Sequence, residues 1–153
     1  MKNIWGREIS FPSDVFYSPE YLWVSVESGN RLRIGISDLG VKSVKSLSYI
    51  EIEVSVGIQV KKGDRLGTIE TSKRAWEIIA PVSGVVVALN SKTSKGNPAT
   101  LASDPYGEGW IVELERTSET ESELQELLKG DMAETKKWIQ EQVEAFIPLL
   151  EES

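Results

Sequence analysis

Lys73 is the residue of this chain whose setting most clearly indicates chemistry. It stands near the middle of the string Gly67-Thr-Ile-Glu-Thr-Ser-Lys-Arg-Ala-Trp-Glu-Ile-Ile-Ala-Pro-Val-Ser-Gly84. β-Formers precede it, and residues 75–80 alternate with the two-residue period of a strand, so the string predicts a hairpin with Lys73 at its tip. On residue type alone a turn lysine is a solvated surface residue. An amine raised between two strands is also suited to carry an attached group, and the rest of the chain decides between these interpretations.

The chain contains no cysteine and no histidine. It therefore has no disulfide and no thiolate nucleophile, and it lacks both the usual general base near neutral pH and the commonest metal ligand. No spaced carboxylate loop, phosphate-binding glycine loop or Gly-x-Ser-x-Gly elbow is present. These absences disfavour an enzyme acting alone and a metal site. Any difficult chemistry would come from an attached group.

Composition narrows the remaining classes. A length of 153 residues predicts one domain over 1–153, and the net charge of −7 argues against nucleic-acid binding. No apolar run approaches the length of a membrane span, and the N-terminus lacks the hydrophobic region of a signal peptide. The expectation is a soluble cytoplasmic protein without nucleic-acid or membrane partners.

Short strands separated by turn residues fill most of the chain. Alternation predicts a hairpin of residues 22–26 and 31–36, a strand at 49–54 and a tight turn at Lys61-Lys-Gly-Asp64 after residues 58–60. Ser37 and Asp38 predict the start of a short helix reaching about Ser46, with Leu39, Val41, Val44 and Leu47 as its apolar positions. Residues 84–89 and 110–114 complete the predicted strands, and the fold class is mainly β.

The C-terminal part changes to a helical pattern. Thr120-x-x-Glu123 predicts a capping box for one helix, which Lys129-Gly130 would close. Asp131-x-x-Glu134 predicts the start of another helix. The apolar stripe of this helix comprises Trp138, Ile139, Val143, Phe146 and Ile147. It is expected to pack on the β core, and partner binding is the less favoured alternative.

Four ordered motifs resemble the glycine cleavage system H-protein family, which carries lipoic acid on a hairpin lysine. They span most of residues 17–146 and are Tyr17-x-x-Glu20-x-x-Trp23-Val24, Gly35-Ile-Ser-Asp38, Glu70-x-x-Lys73 with Pro81-Val-Ser-Gly84, and Asp104-Pro-Tyr-Gly-Glu-Gly-Trp110. The resemblance implies a flattened barrel-sandwich hybrid of the lipoyl or biotinyl type, with a short inserted helix and C-terminal helices. Residues 17–116 would form the carrier core, and residues 118–150 a helical segment packed on it.

The same resemblance implies function. Lys73 would be the lipoyl attachment point and Glu70 the recognition residue for lipoylation, while a surface strand carboxylate remains the alternative for Glu70. The protein would be a non-catalytic shuttle for an aminomethyl or dihydrolipoyl group. Its partners would be a lipoate ligase or lipoyl transferase, a pyridoxal-phosphate glycine decarboxylase, a tetrahydrofolate aminomethyltransferase and dihydrolipoyl dehydrogenase.

The chain departs from the family where the loaded arm would rest. Family members usually carry a His-Glu pair where Tyr21 and Leu22 stand. Leucine cannot accept the charge-assisted hydrogen bond of an aminomethyl cation, worth about 1.5–3 kcal/mol. Glu20 or Glu77 could compensate. Trp76 and Arg74 replace the small residues that the family prefers after the lysine, and Trp76 is either an arm-cleft residue or an aromatic at the barrel edge.

Three alternatives follow from these departures. An H-like lipoate-binding protein of the heterodisulfide-reductase-like sulfur oxidation pathway is favoured by Phe11-Pro-x-Asp14, by Leu128-Lys-Gly130 and by the altered cleft. A biotin carrier is disfavoured because Ser72 and Arg74, rather than methionines, flank Lys73. An unmodified scaffold with the same fold is the last alternative.

Overall fold

The computed structural model describes residues 3–4, 7–8, 11–42, 47–71, 75–93 and 98–151, of which 3–4, 7–8, 39, 42, 102 and 143–151 are described by backbone alone. Within these ranges the strands are β1 Asn3–Ile4, β2 Arg7–Glu8, β3 Phe16–Tyr17, β4 Leu22–Val26, β5 Arg31–Ile36, β6 Tyr49–Ile52, β7 Gln59–Val60, β8 Arg65–Glu70, β9 Ala75–Ile79, β10 Gly84–Leu89, β11 Val112–Glu115 and β12 Leu128–Lys129. The helices are α1 Asp38–Lys42, α2 Ala99–Ser103, α3 Thr120–Gln125 and α4 Ala133–Glu151.

Two antiparallel sheets enclose the core. The larger sheet has the strand order β12-β3-β4-β5-β11-β10-β7, and the smaller one has the order β6-β8-β9. A separate two-stranded ribbon pairs β1 with β2. Side chains from both larger sheets meet in one apolar cluster, in which Leu32, Ile34, Ile50, Leu66 and Ile69 are completely buried. The predicted mainly-β barrel-sandwich with a short inserted helix and C-terminal helices is confirmed.

The hairpin predictions hold because alternation and turn chemistry agree. β4 pairs with β5 in the register Leu22↔Ile36 to Val26↔Leu32, and the connecting turn places Gly29 at a φ of +71°. In the second predicted turn, Gly63 has a φ of +94° and the side chain of Asp64 accepts the backbone N–H of Lys61 at 2.8 Å. Glycine adopts this left-handed conformation at little steric cost.

Helix α1 begins as predicted at the Ser37-Asp38 pair. The Ser37 hydroxyl oxygen accepts the backbone N–H of Gly40 at 3.3 Å, which satisfies one of the free donors of the first turn. Val41 is buried, and Leu47 packs against the core beyond the helix. The predicted continuation towards Ser46, including Val44, lies outside the described residues.

The capping box predicted for Thr120 and Glu123 is wrong. Glu119 occupies the N-cap of α3 without a side-chain cap bond. Instead, the Thr120 hydroxyl donates to the carbonyl oxygen of Ser83 at 2.7 Å. The Glu123 carboxylate accepts both the backbone N–H of Ser83, at 2.7 Å, and its hydroxyl, at 2.9 Å. Because Ser83 is completely buried, its polar groups need partners, and α3 supplies them.

The predicted end of this helix at Lys129-Gly130 is also wrong. Helix α3 stops at Gln125, and Leu128–Lys129 instead forms β12, which pairs with β3. Gly130 is needed for a close approach, because a Cβ there would lie 2.6 Å from the carbonyl oxygen of Pro12. The backbone N–H of Gly130 donates to the carbonyl oxygen of Val15 at 2.9 Å. A strand edge offered by β3 thus decides the structure of this segment.

The next helix follows the prediction more closely. α4 begins at Ala133, just after Asp131, and in it Ile139 is buried and Trp138 is half-buried. The side chains of the other stripe residues, Val143, Phe146 and Ile147, lie outside the described part of the chain. Trp138 and Ile139, the described residues of the stripe, therefore lie against the rest of the fold rather than in solvent, as expected for an apolar stripe.

Glu123→Ala is expected to lower the free energy of unfolding by about 1.5–3 kcal/mol, because it leaves the buried N–H and hydroxyl of Ser83 without their charged acceptor. Urea unfolding followed by circular dichroism measures this loss. Glu126→Ala is the matched control: it removes the same charge from an exposed pair with Lys62, which contributes about 0–1 kcal/mol. Equal losses in the two variants would contradict a structural role for the Ser83 bonds.

No helix among the described residues is long and apolar enough to cross a membrane.

Candidate functional site

The hairpin of β8 and β9 sets the position of the predicted attachment lysine. Its ladder runs from Arg65↔Ile79 to Glu70↔Ala75, with a bulge between Arg65 and Gly67. Glu70 and Ala75 form the last pair among the described residues, and residues 71–74 lie between them in the chain. Lys73, with Ser72 and Arg74, lies outside the described residues. The described flanks support its predicted place at the tip of a hairpin.

Neighbouring strand β6 fixes the base of this tip. Tyr49 pairs with Glu70, and Ile52 pairs with Gly67. Both the backbone N–H and the hydroxyl of Ser48 donate to the carbonyl oxygen of Glu70, at 2.8 and 3.0 Å. At the other end of the pairing, a Cβ on Gly67 would lie 2.1 Å from the carbonyl oxygen of Glu51. The glycine thus permits the close approach, and the Ser48 bonds hold the register next to the tip.

The inner face of the small sheet is packed on the core. Ile50 and Ile69 are completely buried, and Trp76, which pairs with Ile69, is half-buried against the same cluster. The burial of β9 alternates as predicted from the sequence. Part of the Trp76 side chain is therefore buried by packing on the core, and its contribution to an arm cleft stays a prediction.

The outer face carries the predicted polar residues. Glu70 is partly exposed and Glu77 is exposed, and they lie on adjacent outer-face rows, since Glu77 pairs with Thr68. Arg65 donates to Glu53 at 2.7 Å and approaches Glu77 at 3.8 Å, and the hydrogen bond with Glu53 raises the pKa of Arg65. Such exposed pairs contribute little to stability. Glu77 thus faces solvent beside a cation rather than a closed cavity.

The two remaining arm-cleft candidates belong to the other sheet. Leu22 opens β4 and is buried in the core cluster, whereas Glu20 is exposed in the turn before it. The structure brings Glu70, Trp76 and Glu77 together on one hairpin and places Glu20 and Leu22 on the β3–β4 segment. A role of Glu20, Leu22, Trp76 and Glu77 in holding an arm, and of Glu70 in recognition by the lipoylating enzyme, stays a prediction.

Tyr21, where the family usually has histidine, joins this segment to the C-terminal helix. It has a φ of 70°, which is uncommon for a residue other than glycine. Its ring stacks on Trp138 at a centroid distance of 6.1 Å, and its hydroxyl donates to Gln142 Oε1 at 2.7 Å. Burial raises the pKa of Tyr21, so the side chain is neutral at physiological pH. Two contacts from α4 hold this strained turn in place.

The motif around Asp104 and Tyr106 supports Trp23. The indole N–H of Trp23 donates to the carbonyl oxygen of Pro105 at 2.9 Å, and its ring lies 5.9 Å from that of Tyr106. The Tyr106 hydroxyl accepts the backbone N–H of Asp38 at 2.9 Å, and burial raises the pKa of Tyr106. Gly35 leaves room for the indole, which would otherwise meet a Cβ at 2.5 Å. Three of the recognised motifs thus interlock in one packed unit.

Sequence reasoning missed Ser48 and Tyr49 at this site. Ser48 precedes the predicted strand, and its side-chain target is a backbone carbonyl 22 residues away. The sequence pattern indicates Tyr49 only as the first residue of that strand, whereas in the structure it is exposed and pairs with Glu70. The alternation that begins at Tyr49 could have placed it on the same face as Glu51; only the sheet order places it beside Glu70.

A small sheet ending in a hairpin and packed on a larger antiparallel sheet defines the barrel-sandwich class to which lipoyl-type domains belong. The family model for "Glycine cleavage H-protein" matches residues 15–142. This chain belongs to the glycine cleavage H-protein family.

Individual relatives agree with this assignment. The chain is 39% identical to a glycine cleavage system H protein of Carboxydothermus hydrogenoformans over 120 residues, which cover 78% of this chain and 88% of that protein. It is 37% identical to the H protein of Mycolicibacterium vanbaalenii over 111 residues, covering 72% and 82%. The crystal structure of an H protein from Mycobacterium marinum superposes with a TM-score of 0.68 at 28% identity, covering 83% of this chain and 98% of that one. These matches favour the glycine cleavage type over the sulfur-oxidation alternative.

Proposed function

We propose that this protein is lipoylated on Lys73 and serves as a non-catalytic carrier of the glycine cleavage type. It would shuttle an aminomethyl or dihydrolipoyl group between the enzymes of that system. The observation that carries the proposal is the β8–β9 hairpin, whose last described pair, Glu70↔Ala75, is separated in the chain by residues 71–74, among them Lys73. Family membership supplies the chemical class of the attached group.

The described residues fit such an attachment. An amine on a swinging arm must be reachable by several enzymes and must stand on a base rigid enough to be recognised. Ser48, bonded twice to the Glu70 carbonyl, and Ile69, packed in the core, make the base rigid. Lipoic acid, when bound, supplies the redox and group-carrying chemistry for which a chain without cysteine or histidine has no side chain.

Attachment would form an amide bond between Nζ of Lys73 and the carboxyl carbon of lipoate. A lipoate ligase or lipoyl transferase would present that carboxyl group in activated form; its leaving group departs as Nζ loses a proton. Glu70 is proposed as the residue that this enzyme recognises, since its partly exposed carboxylate borders the tip. The client enzymes would be glycine decarboxylase, aminomethyltransferase and dihydrolipoyl dehydrogenase.

The proposal also divides the chain into a carrier core and a C-terminal segment. Residues 17–116 would be the carrier core and residues 118–150 a segment packed on it within one domain. Glu20, Leu22, Trp76 and Glu77 remain the proposed surroundings of the arm. Because Leu22 offers no polar group, any acceptor for a cationic load would be Glu20 or Glu77, which are both exposed.

Intact mass of the protein from a host that makes lipoate, followed by peptide mapping, tests the proposal. We expect one lipoyl increment on the peptide that contains Lys73. An unmodified Lys73, with ligase and lipoate supplied, would overturn it and leave the unmodified scaffold. If lipoylation is intact but no aminomethyl group is accepted from glycine, the carrier stands and the glycine client is wrong.

A further inference from the structure

Tyr49 is an exposed aromatic side chain next to the tip of the lysine hairpin. The exposed large hydrophobic side chains found in the described ranges are Val26, Tyr49, Val56, Ile58 and Met132. Of these, Tyr49 alone lies in the three-stranded sheet that ends in the tip. It heads the row Tyr49–Glu70–Ala75, the last one before residues 71–74. With strands about 4.8 Å apart, its backbone lies about 5 Å from that of Glu70.

The ring is held in place before any partner arrives. The Tyr49 hydroxyl donates to Glu51 Oε2 at 3.0 Å, and this bond raises the pKa of Tyr49. The carbonyl oxygen of Glu70 accepts two hydrogen bonds from Ser48, and these bonds fix the adjacent strand. A side chain that is already ordered loses less conformational entropy on binding, and exposed tyrosines are frequent energetic anchors of interfaces.

The charge around Tyr49 defines the kind of surface that it fits. The described residues of the outer face carry four carboxylates and one guanidinium, which together give a net charge of −3; these are Glu51, Glu53, Glu70, Glu77 and Arg65. The inner face is closed by core packing, with Ile50 and Ile69 completely buried. A protein that reaches the tip from the side can therefore lie against the outer face only. Because that face is negatively charged, a partner surface that complements it is basic.

We propose that the outer face centred on Tyr49 and Glu70 is the docking surface of the enzyme that attaches the lipoyl group to Lys73. This inference rests on the proposed function. The amine of Lys73 is carried on a four-carbon stem, so the enzyme must bring its active site, and hence the rim around it, close to the residues that flank the tip. Tyr49 inserts its ring into that rim, and the carboxylates pair with basic residues around it. Tyr49 is thus a binding residue for lipoylation, not a group that takes part in amide formation.

Initial rates of lipoylation test this surface, with purified lipoate ligase, ATP and lipoate and increasing concentrations of the unmodified full-length protein. For Tyr49→Ala we expect the KM for the carrier protein to rise about tenfold with kcat nearly unchanged, which is a typical loss for one anchoring aromatic. Tyr49→Phe keeps the ring, and we expect its KM to stay within about threefold of the wild-type KM. Val56→Ala, the matched control, trims an exposed apolar side chain outside this sheet and leaves the KM unchanged.

Glu51→Lys gives a second, independent reading, because it reverses one charge of the face at an exposed position. We expect its KM to rise as well, and to do so more at low than at high ionic strength. Wild-type KM values for folded Tyr49→Ala and Glu51→Lys would overturn the docking surface. If the wild-type protein accepts no lipoyl group at any concentration, the proposed function itself fails.

Discussion

Lys73→Arg is expected to abolish lipoylation and to leave the free energy of unfolding unchanged. Arginine preserves the positive charge, but its guanidinium stays protonated and cannot attack an activated carboxyl group. Lys73 is not among the residues of the described β8–β9 ladder, whose last described pair is Glu70↔Ala75. Intact mass after incubation with ligase, ATP and lipoate measures the loss, and urea unfolding measures stability.

The second lysine-containing turn supplies the control. Lys61 and Lys62 stand at the tight turn between β7 and β8, and their Nζ atoms lie 3.6 Å from Glu119 and 3.1 Å from Glu126. These lysines already have carboxylate partners on or beside α3, and no glutamate stands three residues before either. Lys62→Arg should therefore be lipoylated like the wild type. A lipoyl increment on Lys61 or Lys62 of the Lys73→Arg protein would contradict the assignment of one attachment lysine.

Gly67→Ala is expected to lower the free energy of unfolding by about 3 kcal/mol, which for a chain of this size lowers Tm by about 6–12 °C. The new Cβ would lie 2.1 Å from the carbonyl oxygen of Glu51 and 2.9 Å from the Cα of Ile52. Both are backbone atoms, so the clash can be relieved only by moving β6 away from β8. Because Ser48, which directly precedes β6, holds the Glu70 carbonyl, a shift of β6 should slow lipoylation as well. Urea unfolding and ligase assays below Tm measure the two effects.

Gly29→Ala separates the two effects. A Cβ at Gly29 meets nothing within 4 Å, but the φ of +71° costs an alanine about 1–2 kcal/mol. The turn between β4 and β5 belongs to the larger sheet, so this variant should lose stability and keep the wild-type rate of lipoylation. If both variants are lipoylated at the wild-type rate, the contact between β6 and β8 does not support the hairpin tip.

Local patterns predicted the elements that local chemistry determines. Alternation placed β4, β5 and β9 correctly, since one face of each is buried, and glycines with positive φ marked the turns at Gly29 and Gly63. Ser37 predicted the start of α1 because its cap bond spans three residues. The hairpin around Lys73 was predictable for the same reason: its two strands are joined by a short connection.

Contacts distant in sequence decided the rest. Thr120 and Glu123 match a capping box, but the buried polar groups of Ser83 compete for the same side chains and bind them. Leu128 continues a helical pattern, but the unpaired edge of β3 converts it to strand. The exposure of Tyr49 beside Glu70 depends on the order of strands in the small sheet, which no local spacing encodes. Propensity is overridden where a tertiary partner is available.

The seven-stranded sheet ends on both sides in strands of two residues, β12 at one side and β7 at the other. An edge so short offers few free N–H and C=O groups to a strand of another molecule. Among the described residues, copies of this chain therefore find no long edge on the larger sheet at which a strand could pair. Pairing between copies through the larger sheet is thereby disfavoured by the length of its outermost strands, and β12 also carries the exposed charge of Lys129.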